Sequence, residues 1–385
     1  MTPRPYQQCQ RCVMDTSDPY ISFDKNGICN HCSEYFMNVN VLVERTRQEN
    51  ERLQRLTARI KRSGKGKKFD CILGLSGGVD SCYTALLLKD LGLRVLAVHM
   101  DNGWDADSSV RNINSVIDKL ELNYQSYVLD WEEFKDLQLA FLKASVPELE
   151  TPTDMAIPAC LHKIAAAYRI KYIISGGNVQ TEGILPKSWH YDAKDLVYLK
   201  SIHKRYGSGK LRNYPLFGYP QEFYYKYYHG IKTIYLLNHA NYNKKDAMAT
   251  LKEKIDWKDP GGKHFESLYT RFVQSYILPE KFNIDYRRAT FSTQICAGEL
   301  CRDYALEKLK ELPYDPQTVQ KEKEYISKKL GITTAEFEHM MRAPVKSYRD
   351  YPNNKRSLES IYKLYRKFNK PPVLVTLSSF SGLRG

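Results

Sequence analysis

A six-residue string in the first quarter of the chain carries the residue types that bind phosphate. It reads Ser76-Gly77-Gly78-Val79-Asp80-Ser81 and stands between an apolar stretch and an amphipathic one. Glycines let the backbone approach an anion closely, amides at a helix start attract negative charge, and serine hydroxyls donate to phosphate oxygens. Asp80 can hold Mg²⁺, which neutralises the same oxygens. The string therefore predicts a site for nucleotide phosphates.

Four cysteines near the start of the sequence are spaced as metal ligands. Cys9-x2-Cys12 and Cys29-x2-Cys32 are separated by sixteen residues, and each pair can place two thiolates on one tight turn. Four thiolates close a tetrahedral site and leave no open position for substrate. We therefore predict a zinc ribbon with structural Zn²⁺ on Cys9, Cys12, Cys29 and Cys32.

The stretches around the phosphate string indicate an α/β domain with a doubly wound parallel sheet. From Phe69 onward, short apolar runs alternate with amphipathic segments, which is typical of βαβ units. Such folds bind ligands at the carboxyl ends of their strands, where the string lies. We predict strands at Asp70–Leu75, Leu93–Met100, Tyr124–Leu129 and Tyr172–Ser175, and helices near Val79–Lys89, Ser108–Leu120, Trp131–Ala144 and Met155–Tyr168.

The strand signal fades after about residue 185, and the rest of the chain indicates a mainly helical region. Its helical patterns lie near 196–206, 220–229, 244–255, 265–278, 302–311, 316–329, 334–342 and 356–368. The dense aromatic residues from Tyr214 to Tyr242 are interpreted as core or interface. The predicted divisions are a zinc ribbon (1–35), a basic linking helix (36–68), a nucleotide-binding domain (69–190), a helical substrate or partner region (191–370) and a tail (371–385).

Composition limits the class of protein. The 385 residues suffice for two to three domains, and the apolar share of 42% excludes a mostly disordered chain. The net charge of +14 favours contact with polyanions without choosing among them. Neither a bilayer-length apolar run nor a signal peptide is evident, so we expect a cytoplasmic protein. Three further cysteines lack iron–sulfur spacing and are expected to be buried, inert thiols: Cys160, Cys296 and Cys301.

The phosphate string resembles the PP-loop of the ATP pyrophosphatases. It lacks the GxxxxGK[ST] pattern that accompanies γ-phosphoryl transfer. The resemblance implies that ATP is cleaved between its α and β phosphates and that a substrate carbonyl oxygen becomes adenylated. It also implies that ATP is contacted by residues of the loop and of the neighbouring strand ends: Gly74, Ser76, Gly77, Gly78, Asp80, Ser81, His99, Met100 and Gly176.

Four separated motifs together resemble the bacterial N-acetyl sugar amidotransferases of the WbpG/PseA type. They are Cys9–Pro19, the PP-loop, Ser175–Gly183 and a late block from Gly262 to Arg288. This resemblance implies conversion of a sugar acetamido group to an acetamidino group with ATP and ammonia, in surface polysaccharide or nonulosonic acid biosynthesis. The sugar is nucleotide-linked or free, and the ammonia comes from a separate glutaminase and cyclase-like pair.

Several residues are candidates for the chemistry. Asp80, Glu182, Lys263 and His264 are assigned catalytic roles, with Glu182 taking a proton from ammonia or holding Mg²⁺. The positively charged residues of the late block suit a ligand with a diphosphate or a carboxylate group. Ordinary solvent-exposed positions on a helix surface would explain their charge as well. Asp154 also fits a simple helix cap. The assigned substrate-binding residues are Asp154, Lys187, Trp189, Glu266, Arg271 and Arg287.

Two other classes of function stay open. A tRNA-modifying PP-loop enzyme is the alternative, because a zinc ribbon and positive charge also suit RNA, yet Cys160 lacks a partner at Cys-x2-Cys spacing. Nucleic acid is therefore the less favoured partner. A non-catalytic nucleotide-binding scaffold is the third class. The basic helix is a candidate docking face for the ammonia-supplying pair, through Arg52, Arg55 and Arg59.

Overall fold

A parallel sheet forms the centre of the fold. The computed structural model describes residues 5–46, 49–262 and 265–360. In these residues five strands pair in the order β3-β2-β1-β4-β5, and every neighbouring pair is parallel. The strands are β1 (Cys71–Gly74), β2 (Val95–Asp101), β3 (Asn123–Val128), β4 (Tyr172–Ser175) and β5 (Lys232–Tyr235).

Helices cover the sheet and make up most of the second half of the described chain. None of those in the described ranges has the length and apolarity that a bilayer crossing requires. They are α1 (Asn30–Thr46), α2 (Glu49–Ser63), α3 (Val79–Asp90), α4 (Asp107–Leu120), α5 (Trp131–Ala144), α6 (Thr151–Ala167), α7 (Val179–Glu182), α8 (Leu196–Tyr206), α9 (Tyr219–Phe223), α10 (Lys244–Ile255), α11 (Leu268–Phe272), α12 (Leu278–Phe282), α13 (Tyr286–Cys296), α14 (Arg302–Lys310), α15 (Pro316–Leu330) and α16 (Thr334–Arg342).

The central strand β1 is buried on both faces, as expected for a parallel sheet between two helical layers. Cys71 and Leu73 join an apolar cluster with residues of α2, α3, α4 and α10. Ile72 points to the other face and packs in a cluster with Ile164 of α6. The chain crosses to β2 on one side of β1 and to β4 on the other, so the loop after β1 lies at a topological switch point.

The four predicted strands are present with ends shifted by at most two residues, but the fifth strand was not predicted. Its sequence Lys-Thr-Ile-Tyr is short and lies in an aromatic segment with a helical pattern. Helix α13 was also missed, because its Thr, Ser and aromatic residues have weak helix propensity. The predicted helix over 356–368 and the tail over 371–385 extend beyond residue 360, outside the described residues.

A buried carboxyl group gives the fold a pH dependence. Glu148 lies between α5 and α6, is 7% exposed, and accepts a hydrogen bond from the Tyr198 hydroxyl at 3.0 Å. Burial raises the pKa of Glu148 from 4.5 to about 7, against the lowering effect of the Tyr198 hydroxyl. Between these values the folded chain binds more protons than the unfolded chain. Stability therefore falls as pH rises through this window, by about 3 kcal/mol.

We predict that Glu148→Gln removes this fall, because the amide stays neutral and still accepts from Tyr198. The free energy of unfolding, measured with urea, should match the native value near pH 4 and exceed it at pH 8 by about 2–3 kcal/mol. Glu132→Gln, at an exposed position, is the matched control and should change neither value. Equal stability of native chain and Glu148→Gln at pH 8 would contradict the prediction.

Candidate functional site

The PP-loop follows β1, and donors behind it fix its backbone. Ser109 Oγ donates to the Ser76 carbonyl oxygen at 2.6 Å. The Gly77 carbonyl oxygen accepts from Asn112 Nδ2 and from Trp257 Nε1, each at 3.0 Å. Because the C=O and N–H of a trans peptide point in opposite directions, these bonds turn the loop amides to the other side. Gly77 has φ +84°, and a Cβ there would lie 2.6 Å from the Ser109 carbonyl oxygen, so the turn requires glycine.

The start of α3 provides an anion site. Gly78 is its N-cap residue and offers no side-chain cap. The amides of Val79, Asp80 and Ser81 therefore have no carbonyl partner within the helix, and they carry the positive end of its dipole. Ser76 Oγ and Ser81 Oγ lie 3.1 Å apart beside these amides. Such a set of donors suits the oxygens of a phosphate group.

Two hydroxyl groups hold the carboxylate of Asp80. Thr181 Oγ1 donates to Oδ2 at 3.1 Å, and the Tyr242 hydroxyl donates to Oδ1. Burial and the charge of Asp80 raise the pKa of Tyr242, so its phenol stays protonated and remains a donor. Each carboxylate oxygen retains a further lone pair. Asp80 therefore fits Mg²⁺, which takes carboxylate and phosphate oxygens as ligands.

A cavity of about 290 Å³ opens in front of the PP-loop. The described residues that line it include four carboxylates and one ammonium group. Bound phosphates therefore need divalent cations to offset repulsion from these carboxylates. The charged residues are Asp80, Glu182, Asp259, Glu266 and Lys244. The others are Ser76, Gly78, Val79, Ser81, Gly176, Gly177, Met248, Trp257, Pro260, Gly261, Gly262, Thr290, Phe291 and Gln294.

The loop after β4 closes one side of the site through Gly176. A Cβ at this glycine would lie 2.8 Å from the Ser81 amide nitrogen and 2.9 Å from the Asp80 carbonyl carbon. Both distances are shorter than any side chain tolerates, and the obstructing atoms are backbone. Gly176 therefore permits the contact between the β4 loop and the start of α3.

The late block reaches the PP-loop through Glu266. The Ala106 amide donates to the Glu266 carbonyl oxygen, and the Leu268 amide donates to the Trp104 carbonyl oxygen, both at 2.8 Å. These bonds join the segment to the loop between β2 and α4. A Cβ at Gly78 would collide with Glu266 Oε1. The late block thus contributes a carboxylate directly at the phosphate loop.

The four N-terminal cysteines form a site that fits a tetrahedral metal ion. All are buried, and their sulfur atoms lie within 4.8 Å of one another. The Cys12–Cys29 and Cys9–Cys32 sulfur distances are 3.6 and 3.9 Å. A zinc–thiolate bond near 2.3 Å gives a tetrahedral edge of about 3.8 Å. The Cys29 amide donates to Cys9 Sγ at 3.2 Å, which stabilises the thiolate form.

The ribbon formed by these cysteines is docked on α13 and α14. Arg288 of α13 pairs with Asp15 at 2.7 Å, and Ser292 Oγ accepts from the Val13 amide at 3.2 Å. Arg302 of α14 donates to the carbonyl oxygens of Cys9 and Cys12, at 2.9 and 3.1 Å. Helix α13 also lines the cavity, at Thr290, Phe291 and Gln294. One helix therefore contacts both the four-cysteine ribbon and the cavity in front of the PP-loop.

Two protein families match separate parts of the chain. Residues 266–369 match the family described as LPS biosynthesis protein WbpG-like, C-terminal domain, and residues 50–147 match NAD synthase. The first segment supplies Glu266 and α13, and the second supplies the PP-loop. Together these matches support a WbpG-type protein of the PP-loop superfamily. The zinc-ribbon prediction is compatible with the four-cysteine cluster, and the predicted α/β fold with a helical C-terminal region is confirmed.

Curated relatives match the WbpG-type chain over shorter stretches. The tRNA-specific 2-thiouridylase MnmA of Streptococcus pyogenes serotype M1 is 34% identical over 94 residues, which are 22% of this chain and 25% of the relative. MnmA of Helicobacter hepaticus is 31% identical over 153 residues, 38% of this chain and 42% of the relative. The chain thus spans about a quarter to two fifths of the length of these relatives.

Solved structures match the chain at low sequence identity. The U34-tRNA thiolase NcsA of Methanococcus maripaludis, solved with its [4Fe-4S] cluster, has a TM-score of 0.34 and 16% identity, covering 79% of this chain and 89% of that one. The NMN synthetase of Francisella tularensis has a TM-score of 0.28 and 18% identity, covering 54% of this chain and 84% of that one.

In the WbpG-type chain, the predicted site residues fall into two spatial groups. The first lines the cavity and comprises Ser76, Gly78, Asp80, Ser81, Gly176, Glu182 and Glu266, while Gly77 shapes the loop behind it. The second is outside this lining and comprises Gly74, His99, Met100, Asp154, Lys187, Trp189, Arg271 and Arg287. Lys263 and His264 lie outside the described residues, and their catalytic roles stay predictions.

Three residues predicted to bind substrate make contacts with other parts of the protein. Trp189 is 2% exposed and packs against Tyr286, which makes it a core residue. Arg271 pairs with Glu322 of α15. Arg287 pairs with Asp285 at 2.7 Å and donates to the Lys308 carbonyl oxygen at 3.1 Å. Asp154 lies in the first turn of α6, three residues after the helix begins, rather than at its N-cap.

His99 is held between two hydrogen-bond acceptors near the strand ends. Its Nδ1 lies 2.9 Å from the Leu75 carbonyl oxygen, and its Nε2 lies 2.8 Å from Asp105 Oδ2. Both neighbours are acceptors, so both ring nitrogens donate. Burial opposes a positive charge on the ring, but the bond and charge of Asp105 and the Leu75 carbonyl raise the pKa of His99 overall. Its ring nitrogens are thus engaged with protein rather than turned to the nucleotide.

The sequence analysis did not predict the part of the cavity wall that α10 and α13 form. Lys244 of α10 and Gln294 of α13 belong to it, and Glu299 lies close by. Burial raises the pKa of Glu299, Lys244 lowers it, and Asp80 raises it further. A negative charge at Glu299 is therefore coupled electrostatically to the PP-loop. No motif marks these residues in the sequence, because helices far apart in the chain bring them together.

We predict that Gly176→Ala weakens ATP binding by at least about tenfold, because the methyl group must displace the backbone at the start of α3. Isothermal titration with ATP and Mg²⁺ measures the loss, and circular dichroism checks the fold. Gly209→Ala is the matched control, since its nearest neighbour would be a side-chain oxygen at 3.6 Å. ATP affinity in Gly176→Ala equal to that of the control would show that the contact does not matter for binding.

The thiol cluster predicts one zinc ion per chain. We expect metal analysis of the purified protein to find this stoichiometry, and Cys12→Ser to lose the zinc and unfold at a lower temperature, because a structural metal contributes directly to folding. Cys301→Ser, at an exposed cysteine, should retain native zinc and native Tm. Full zinc occupancy in Cys12→Ser would show that the ligand set is different.

Proposed function

We propose that this protein is an ATP-dependent amidotransferase that converts the acetamido group of an N-acetylated sugar to an acetamidino group. One observation carries the proposal: the WbpG-like segment begins at Glu266, whose carboxylate lies beside Gly78 of the PP-loop in the cavity. The segment typical of the sugar-modifying family and the phosphate loop thus form one site. The sugar is nucleotide-linked or free, and surface polysaccharide biosynthesis in the cytoplasm is the proposed setting.

The reaction has two steps. The acetamido oxygen attacks the α-phosphorus of ATP, the bond to the bridging oxygen breaks, and pyrophosphate leaves. Ammonia then adds to the activated carbon, loses a proton, and AMP departs with the former carbonyl oxygen. Adenylation is needed because an amide oxygen is otherwise a very poor leaving group. Charge stabilisation and proton transfer at fixed positions are what the protein must supply.

The cavity residues divide these tasks. The amides of Val79, Asp80 and Ser81 and the two serine hydroxyls bind the departing pyrophosphate. When bound at Asp80, Mg²⁺ supplies positive charge that offsets the developing charge on the phosphate oxygens. Glu182 and Glu266 are the proposed acceptors for the proton of the attacking nitrogen. Lys244 is the cation available to an anionic part of the substrate.

A separate glutaminase and cyclase-like pair is the proposed source of ammonia. Helix α2 offers a docking face, because Leu56 and Ile60 are buried in the core while Arg55 and Arg59 are exposed on the other side. A basic exposed stripe of this kind suits an acidic surface. Charge reversal at Arg55 and Arg59 should then abolish capture of the pair without altering the use of free ammonium.

Transfer of sulfur to tRNA is the second candidate, because the curated relatives are tRNA thiouridylases. That chemistry uses a thiolate, and none of the described residues that line the cavity is a cysteine. Cys160 is fully buried, and burial raises the pKa of its thiol to about 12. These two observations favour a nitrogen nucleophile over a cysteine-bound sulfur.

The decisive experiment incubates the protein with ATP, Mg²⁺, ammonium and a panel of N-acetylated sugars and nucleotide sugars. We expect AMP and pyrophosphate together with a sugar in which one oxygen has become NH, detected by mass spectrometry. Asp80→Asn should lower AMP formation on the order of 100-fold, the cost of losing a charge that stabilises the transition state. Asp118→Asn, on the exposed face of α4, is the control. AMP formed with tRNA alone would reject the sugar assignment.

A further inference from the structure

A fifth cysteine lies against the metal ribbon from outside. Cys296 is the last residue of α13, and its Sγ is 3.6 Å from Cys32 Sγ. It is 9% exposed and stands 264 positions away from Cys32 in the sequence. The four ribbon cysteines form a group in which every sulfur pair is within 4.8 Å, and Cys296 is not a member of that group. Its thiol therefore borders Cys32 and lies outside the set of four mutually close sulfur atoms.

The spacing suits ligand exchange at one position only. The distance between Cys32 and Cys296 matches the edge of a tetrahedral thiolate site, about 3.8 Å. A metal ion bound to Cys32 would pass to Cys296 if the Cys32 sulfur left its corner of the site and the adjacent Cys296 sulfur moved into it. While Cys32 holds the metal, the Cys296 thiol can donate its proton to the Cys32 sulfur. The spacing offers no comparable replacement for Cys12, whose sulfur neighbour at 3.6 Å is the ribbon ligand Cys29.

We propose that Cys296 is a fifth thiol of the metal centre, a reserve ligand that takes the place of Cys32. In the exchange, the metal–Cys32 bond breaks, a metal–Cys296 bond forms, and the Cys296 proton passes to the released Cys32 sulfur. The number of thiolates on the metal and the net charge are unchanged. No oxidant or other reactant is needed.

The exchange would bind the metal to helix α13, which forms one wall of the nucleotide cavity. Helix α13 ends at Cys296 and carries Thr290, Phe291 and Gln294 in the cavity lining. Three residues beyond Cys296, Glu299 interacts electrostatically with Asp80 of the PP-loop. The hydrogen bond between Ser292 and Val13 already joins the same helix to the ribbon. The inference concerns the metal centre alone and holds whichever substrate the cavity accepts.

The test compares single Cys→Ser variants by zinc content and by zinc affinity in competition with a chromogenic chelator. We expect Cys32→Ser to retain one zinc per chain with affinity within about tenfold of native, because Cys296 fills the vacant position. Cys12→Ser should lose at least about 100-fold in affinity, because it has no replacement. The double variant Cys32→Ser/Cys296→Ser should behave as Cys12→Ser does. Zinc loss in Cys32→Ser equal to that in Cys12→Ser would overturn the proposal.

Cobalt reports on the ligands directly. In Co²⁺-loaded protein, the thiolate-to-metal charge-transfer band should be as strong in Cys32→Ser as in the native chain and weaker in the double variant, since it grows with the number of bound thiolates. Alkylation with iodoacetamide should modify Cys296 of the Cys32→Ser variant only after the metal is removed. A charge-transfer band equally weak in both variants would show that Cys296 does not bind the metal.

A second variant keeps the proposal testable if Cys32→Ser does not fold. Cys296→Ala leaves all four ribbon ligands in place and removes only the reserve thiol. We expect it to release zinc to a chelator several-fold faster than the native chain, because a broken Cys32 bond is no longer replaced. Cys301→Ala is the matched control, since this cysteine is exposed, and it should release zinc at the native rate. Equal release rates for Cys296→Ala and Cys301→Ala would overturn the assignment.

Discussion

The carbonyl oxygen of Gly77 accepts two hydrogen bonds, and the orientation of the phosphate-binding amides depends on them. The donors, Asn112 and Trp257, are 35 and 180 residues away. Asn112 is further fixed by bonds with the Lys258 backbone, donating to its carbonyl oxygen and accepting from its amide, both at 2.8 Å. Loss of either donor weakens the restraint on a buried carbonyl, which costs about 1–3 kcal/mol if it is left unpaired. Contacts from α4 and from the segment after α10 therefore help to hold the anion site at α3 in place.

Helix α13 connects the four-cysteine ribbon to the cavity. On one side it contacts Val13 and Asp15 of the ribbon through Ser292 and Arg288. Other residues of the same helix, such as Gln294, line the cavity. This helix of eleven residues therefore contacts both the ribbon and the cavity directly. The four-cysteine ribbon thus also packs against the helix that lines the cavity.

Sequence reasoning recovered the parts of the structure that local patterns encode. The apolar runs of β1 to β4, the turn required at Gly77 and the Cys-x2-Cys pairs are all signals within a few residues. It could not predict contacts that depend on tertiary packing. Nothing in the sequence near Trp189 distinguishes a buried core residue from one facing a sugar, and Arg287 looks the same whether it binds substrate or Asp285. Among the elements that it missed, β5 and α13 lack a strong periodicity of their own and are held by their neighbours.

Net charge is a poor guide to the chemistry of this cavity. The chain carries +14 overall, which favours polyanions, yet the described cavity lining has four carboxylates and one lysine. Phosphate binding therefore depends on amide dipoles and divalent cations rather than on a basic pocket. The excess of carboxylates also suits the proposed nitrogen chemistry, because ammonium is protonated near neutral pH and reacts only after it gives up a proton. A thiolate nucleophile would gain from the opposite arrangement, since nearby carboxylates disfavour its charge. The acidic residues of the cavity thus fit the proposed reaction with ammonia better than one with a thiolate.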